Sequence, residues 1–168
     1  TSGDLEHQDN MGNKQVIRQG DVQVMSAGTG IQHSEKNKNK DKTVEFFQIW
    51  VFPNQRNVQP RYDQQSFTDA DKHNNLLTVV SPMGTTDGKV HIHQNAWFSL
   101  GKLDKDFSTN YELHKKENGV YAFVIEGNVT INGIALNRRD GLGITEADLL
   151  TIKADSDAEV LLMEVPMR

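Results

Sequence analysis

The sequence predicts an all-β protein, a sandwich or barrel assembled from two copies of one module. Three observations carry this. Apolar residues recur with a period of two rather than 3.6. Turn signals follow at the ~8–12-residue spacing of short strands in sandwiches and barrels. The two ends of the chain repeat the same features in the same order, at weak identity.

Each element has a local reason. Val22-Gln23-Val24 is a short strand. Phe46 to Phe52 is strongly apolar and aromatic, and reads as a strand ended by Pro53. Asp87-Gly88 marks a turn before the run Val90 to Leu100. In Val120 to Ile125 both alternating sets are apolar or small, as in a strand covered on both faces. Val129 and Ile131 alternate with Thr130 and Asn132, a half-buried strand. Asn132-Gly133 then separates it from Ile134-Ala135-Leu136. Asn-Gly takes φ > 0 at both positions of a type I′ turn, so a hairpin is predicted there. Leu149 to Ile152 and Val160 to Met163 are two more strands, joined through Asp155-Ser156-Asp157. Helical signals are short: Ser66 to His73, and a turn at Thr145 to Ala147.

Two segments read as irregular. Glu35 to Thr43 carries alternating lysines from Lys36 to Lys42. It is either a basic patch for an acidic partner or a solvated loop, and the lack of interleaved aromatics favours the loop. Pro53 to Asn75 is polar and contains Pro60, as a linker does. Gly3-Asp4-Leu5, Gly20-Asp21 and Phe47 to Val51 match Gly127-Asn128-Val129, Asp140-Gly141 and Val160 to Val165. The expected organisation is a first module at 1–60, a linker at 61–75 and a second module at 76–168. A long strand-rich stretch precedes Gly127, whereas only Thr1 and Ser2 precede Gly3. The first module is therefore expected to be incomplete, with an open sheet edge. Further residues or a partner chain would complete it, and a dimer through that edge is one outcome.

Composition excludes several classes. Lys plus Arg number 18 against 23 Asp plus Glu, a net charge of −5, which argues against coating nucleic acid. Apolar residues at 36% are too many for a disordered chain. With no Cys there is no disulfide, thiolate metal site or Cys nucleophile. No apolar run approaches the ~18 residues of a membrane span, and no signal peptide opens the chain. The expected location is the cytoplasm, with no membrane partner.

The most informative stretch is Ser26-Ala27-Gly28-Thr29-Gly30-Ile31-Gln32-His33-Ser34-Glu35. His33 and Glu35 are two apart, so on a strand they share a face. An imidazole and a carboxylate together suit Fe(II), Mn(II), Ni(II) or Zn(II). The alternative is a plain His–Glu hydrogen bond at a surface strand end. His7 either lines this pocket, replaces a missing ligand or makes a cross-strand polar contact. His91-x-His93 also aims two imidazoles one way, without a third donor at strand spacing. Gly28-x-Gly30 reads as a turn rather than a phosphate loop, because no helix or Lys follows it. Trp50 and Trp97 read as core or rim aromatics.

Gly3-Asp4-Leu5-Glu6-His7-Gln8-Asp9-Asn10-Met11-Gly12-Asn13, then Gly20 through Glu35, then Gln48-Ile49-Trp50-Val51 resemble the pirin family of bicupins. Gln59-Pro60-Arg61-Tyr62 and the closing module resemble it too. The resemblance implies two double-stranded β-helix (cupin) modules, the first incomplete here. It implies one metal in the first module, usually iron as Fe²⁺, held by three His and one Glu. The last two of these ligands fall on His33 and Glu35. The other two belong to a His-x-His segment that would lie ahead of Thr1. By cupin spacing the second module's ligand positions are His114, Lys116 and Val120, of which only His114 can ligate. That module reads as a metal-free scaffold.

Three functions follow from the resemblance. The first is a metal-dependent dioxygenase of the quercetin 2,3-dioxygenase type, acting on a flavonol-like aromatic. There Glu35 is both metal ligand and catalytic base. The second is a non-enzymatic iron-dependent redox sensor that binds a protein partner. The third is an inactive fragment.

Overall fold

A computed structural model describes residues 2–167. The chain divides into two compact units, Thr1–Phe67 with Val90–Gln94, and Thr68–Lys89 with Asn95–Arg168.

The first unit contains β1 (Leu5–Asp9), β2 (Lys14–Ile17), β3 (Asp21–Ser26), β4 (His33–Asn37) and β5 (Arg61–Ser66). β1 is the middle strand of a sheet ordered β2-β1-β4, and β3 pairs with β5. Asp9 turns the chain into β2, because its Oδ1 accepts from the Met11 and Asn13 amides, each at 3.0 Å. β1 is buried except at Gln8. Leu5, His7 and Asp9 share one face, and Glu6 takes the other. Glu6 lies beneath Lys36 at 2.9 Å, Lys38 at 3.5 Å and Lys14 at 3.9 Å. The hydrogen bond from Lys36, ahead of the other lysines, holds its carboxyl below the usual range. The lysine run is thus only partly a solvated loop. Lys36 is a strand residue, Lys36 and Lys38 are tied to Glu6, and Lys40 and Lys42 are exposed.

Two sequence expectations fail in this unit. Residues 61–75 are not a linker: Arg61–Ser66 is β5, in register from Asp21↔Ser66 to Ser26↔Arg61. Side-chain hydrogen bonds support this ladder, with Gln64 Nε2 donating to Asp21 at 2.7 Å and Ser66 Oγ donating to Asp21 at 2.5 Å. Phe46–Phe52 forms no strand, although Glu45 makes an isolated bridge to Ser2. Trp50 and Phe52 are each 84% exposed, so Trp50 is not a core residue. A β-prone run becomes a strand only where a neighbour accepts its ladder. Gly28-x-Gly30 is the expected turn, closed by the Gly30 amide donating to the Ala27 carbonyl at 2.9 Å.

The second unit opens with α1 (Asp69–Lys72), inside the predicted Ser66–His73. Thr68 caps it: Thr68 Oγ1 accepts from the Asp71 amide, and the Asp71 carboxylate accepts from the Thr68 amide. β6 (Leu76–Pro82) follows. β7 (Val90–Ile92) belongs to the first unit. Next come β8 (Trp97–Leu103), β9 (Ser108–Glu112), β10 (Asn118–Glu126), β11 (Val129–Ile131), β12 (Ile134–Leu136), β13 (Gly141–Ile144), β14 (Leu149–Ala154) and β15 (Ala158–Pro166). Within this unit β13-β10-β15-β8-β6 run in order in one sheet and β12-β11-β14-β9 form another. Both contribute to one core around Val124, Ile131, Leu150, Ile152, Val160 and Leu162. The Asn132-Gly133 hairpin forms as predicted, with φ 48° and 80° at the turn and Ile131 opposite Ile134. The strand at Val120–Ile125 is covered on one face at Val120, Ala122 and Val124, and on the other only towards its end, where Ile125 is buried while Tyr121 is 45% exposed. Thr145–Ala147 is a bend with Glu146 at φ 56°, not a helical turn. The run Val90 to Leu100 splits into β7 and β8.

The internal repeat survives as topology. β1 pairs with β2 and β4, as β11 pairs with β12 and β14. Gly3 and Gly127, at matched positions, both have positive φ. A Cβ on either would strike a backbone carbonyl oxygen, Thr43 at 2.6 Å or Asp157 at 2.1 Å. The copies differ at one edge. β14 carries β9 on its second side. Among the described residues β4 has no second partner strand. No helix is long and apolar enough to cross a membrane, among the described residues.

Candidate metal centre

The β1–β4 ladder places Glu35 opposite His7 and His33 opposite Asp9. Alternation puts these four side chains on one face. His33 is exposed and Glu35 half-buried, while the His7 ring is fully buried. That ring is stacked 5.7 Å from the ring of His33, and lies 4.8 Å from the ring of Tyr62 on β5, tilted by 33°.

Asp9 orients His7. The Asp9 carboxylate accepts from the Asn13 amide nitrogens and from Met11, and His7 Nε2 lies 3.3 Å from its Oδ2. Burial works to raise this carboxyl. The hydrogen bonds from Asn13, His7 and Met11 outweigh it and bring it down to about 2. A carboxylate accepts only, so Nε2 is the donor to Asp9. His7 Nδ1 is then left buried with no hydrogen-bond partner, 3.8 Å from Glu35 Oε1. Tyr62 donates to Gln64 at 2.6 Å. Burial first, then the charges of Asp21, Asp9 and Glu35, push its phenol up to about 12.

The donor chemistry here fits a divalent cation: two imidazoles and a carboxylate on one face, with an orphaned buried nitrogen aimed at the carboxylate. Among the described residues no group of three or more His, Asp or Glu is placed to hold a metal ion by itself, so His33 and Glu35 need further ligands. His91 and His93 lie elsewhere in this unit. Their carbonyls accept from Arg61 and from the Asn54 amide respectively.

The second unit holds a different arrangement, which sequence reasoning missed. Glu164 is fully buried on β15 and accepts five hydrogen bonds. They come from Tyr111 Oη at 2.9 Å, the His114 amide at 3.0 Å, His114 Nδ1 at 2.9 Å, the Lys115 amide at 3.0 Å and Asn118 Nδ2 at 2.8 Å. Burial opposes the charge, but the bonds from His114, Asn118 and Lys115 hold the Glu164 carboxyl below its usual range. His114 also stacks on Trp97 at 4.7 Å and 7°. The ring at the second module's only candidate ligand position is therefore a donor to a protein carboxylate. The five donors are spread from 46 to 53 residues away from Glu164, so no local motif announced them.

Comparison with known proteins identifies the family. The pirin model matches residues 1–51, and the model of the quercetinase C-terminal cupin domain matches residues 78–165. The quercetin 2,3-dioxygenase of Escherichia coli K12 is 42% identical over 98% of this chain and 69% of its own. The chain belongs to the pirin family. Another pirin relative, a putative quercetin 2,3-dioxygenase of Pseudomonas aeruginosa, is 39% identical over 97% of this chain and 69% of its own. The crystal structure of the bacterial pirin YhhW from Escherichia coli in complex with nickel(II) superposes with a TM-score of 0.89. It is 38% identical, over 98% of this chain and 69% of that one. The all-β cupin architecture expected of a pirin is the one observed.

Proposed function

We propose that this chain supplies His33 and Glu35 to the divalent-metal centre of a quercetin 2,3-dioxygenase-type pirin. The observation that carries the reading is the shared face of β4, where an exposed imidazole and a half-buried carboxylate stand two residues apart beside a buried His–Asp pair. The relatives named quercetin 2,3-dioxygenase and the nickel(II) complex of a relative support it. Iron(II) is the expected metal, with nickel(II) the probe the relative recommends.

The bound metal supplies Lewis acidity toward the adjacent hydroxyl and ketone oxygens of a flavonol. Glu35 would take the flavonol hydroxyl proton on a carboxylate oxygen. His33 would hold the metal through its imidazole, beside Glu35 on β4. Tyr62 stays a neutral phenol and forms an apolar wall behind His7.

The test is oxygen uptake with quercetin by the chain incubated with Fe(II) or Ni(II), beside Glu35→Gln. Uptake that the variant lowers by at least ~100-fold is expected, a general base being worth about 10²–10⁴. Absence of uptake with either metal, in a sample shown to be folded, overturns the dioxygenase reading.

A further inference from the structure

We infer that the Glu6 side of the β2-β1-β4 sheet is a docking surface for an acidic segment of another protein, gripped by Lys14, Lys36, Lys38, Lys40 and Lys42. It is the reverse of the side that carries His33 and Glu35, so it stands independently of the metal centre proposed above.

The strand register builds this surface. Glu6 of β1 lies opposite Lys36 of β4, and Gln8 of β1 lies opposite Lys14 of β2. Glu6 and Gln8 are two apart on one strand, so Lys14 and Lys36 rise from the same side. Three ammonium groups surround the Glu6 carboxylate, Lys36 at 2.9 Å, Lys38 at 3.5 Å and Lys14 at 3.9 Å. Glu6 is buried, whereas the side chains of Lys38, Lys14 and Lys36 are 49%, 62% and 69% exposed. A partner approaching from solvent therefore meets the lysines before the carboxylate that gathers them. Lysines already gathered lose less freedom when a partner binds.

The alternation of lysine with asparagine has a structural reason. The asparagines fold the segment after β4, and the lysines are left to solvent. Asn37 Nδ2 donates to the Lys42 carbonyl at 2.7 Å, and Asn37 Oδ1 accepts from the Asn39 amide at 2.9 Å. The Lys38 amide donates to the Asp4 carbonyl at 3.0 Å. The backbone that carries the charges is thus tied to β1 rather than loose. Lys40 and Lys42 are exposed, and among the described residues neither makes an ion pair.

Charge and chemistry select the partner. Five lysines gather here near three carboxylates, Asp4, Glu6 and Asp41, in a chain whose net charge is −5. A local excess opposite in sign to the whole chain attracts a short acidic segment and fixes its orientation. Lys36 to Lys42 contains neither arginine nor an aromatic residue. It therefore offers no bidentate grip on phosphate and no platform for a stacked base. The acidic remainder of the chain repels a long polyanion. Carboxylates on a flexible peptide are what separate ammonium groups suit.

The experiment titrates the whole chain with a fluorescein-labelled octaglutamate peptide at ~20 and ~200 mM NaCl, concentrations that bracket the screening range. Anisotropy gives the affinity, and amide ¹⁵N–¹H spectra of the unmodified chain give the place of binding. Binding at the lower salt, weakened at the higher, is expected, with shifts at Lys14 and Lys36 to Lys42. Lys36→Gln with Lys38→Gln, and separately Lys40→Gln with Lys42→Gln, should each weaken binding by about 3–10-fold, the scale of two exposed ion pairs. Lys115→Gln with Lys116→Gln, two exposed lysines of the second unit, should leave it unchanged. Absence of binding at low salt, shifts confined to other residues, or equal weakening by the control pair overturns the inference. Tighter binding of an oligothymidylate of equal charge through the same lysines also overturns it, because the surface would then be one for nucleic acid. No turnover of quercetin enters these measurements, so their failure leaves the dioxygenase reading untouched.

Discussion

Tyr111 donates its hydroxyl hydrogen bond to Glu164 across 2.9 Å, between strands separated by 53 residues, and both side chains are buried. A buried carboxylate is stable only when its oxygens are filled, and Tyr111 is one of five donors that fill them. Tyr111→Phe keeps the ring and removes one charge-assisted bond. It should cost about 1.5–3 kcal/mol in urea unfolding. Tyr121→Phe, on an exposed ring, is the control and should change little. Equal stability of Tyr111→Phe and wild type would show that Glu164 does not need this donor.

The Gly127 position tests the repeat. Its φ is +77°, and an added Cβ would lie 2.1 Å from the Asp157 carbonyl oxygen. Gly133 has φ +80° with open space where a Cβ would go. Gly133→Ala should therefore cost only the ~1–2 kcal/mol of placing an L residue in the left-handed region. Gly127→Ala adds the collision and should cost clearly more, read as the difference in urea midpoint. A cost for Gly127→Ala no larger than for Gly133→Ala would show that the close approach relaxes freely.

These two sites mark what the sequence made legible. The Asn132-Gly133 hairpin and the strands of β14 and β15 were readable, because turn chemistry and alternation are local. The repeat was readable because Gly3 and Gly127 do the same work in both copies. Arg61–Ser66 was not, since its strand is polar and its ladder is supported by Asp21, 43 residues before Gln64 and 45 before Ser66. Phe46–Phe52 misled in the opposite sense, with strand composition and no ladder. His33 and Glu35 were legible as a pair two residues apart. That Asp9 orients His7 toward Glu35 required the β1–β4 register, which no spacing rule supplies.

Asp9 predicts an acid transition in the first unit. Its folded carboxyl is lowered to about 2 from an ordinary value near 3.8. A lowered carboxyl stabilises the fold above its unfolded value, and that contribution is lost as pH falls toward the folded one. The wild type should lose stability progressively between about pH 4 and pH 2. Asp9→Asn should be less stable at pH 6, and its deficit should shrink across that window. Urea midpoints from pH 2 to pH 6 would show it. A deficit independent of pH would mean that the Asp9 charge is not what the turn and His7 require.

Tyr62 carries the opposite sign, at the alkaline end. Burial and the neighbouring charges of Asp21, Asp9 and Glu35 raise its phenol from 10.0 to about 12. The neutral phenol is favoured in the folded chain, so its contribution is complete below the unfolded value and disappears as pH rises through about 12. In the folded protein the phenolate absorbance of Tyr62 should therefore emerge only in the strongly alkaline range. Tyr62→Phe should remove that late component and flatten the loss of stability between pH 10 and pH 12. It should leave Asp9 in place, because Asp9 is held by Met11 and Asn13. The acid transition of the variant should then match that of the wild type. If Tyr62→Phe shifted the acid transition as well, the Tyr62 hydroxyl would be helping to hold the His7–Asp9 pair, and the two titrations would belong to one coupled unit.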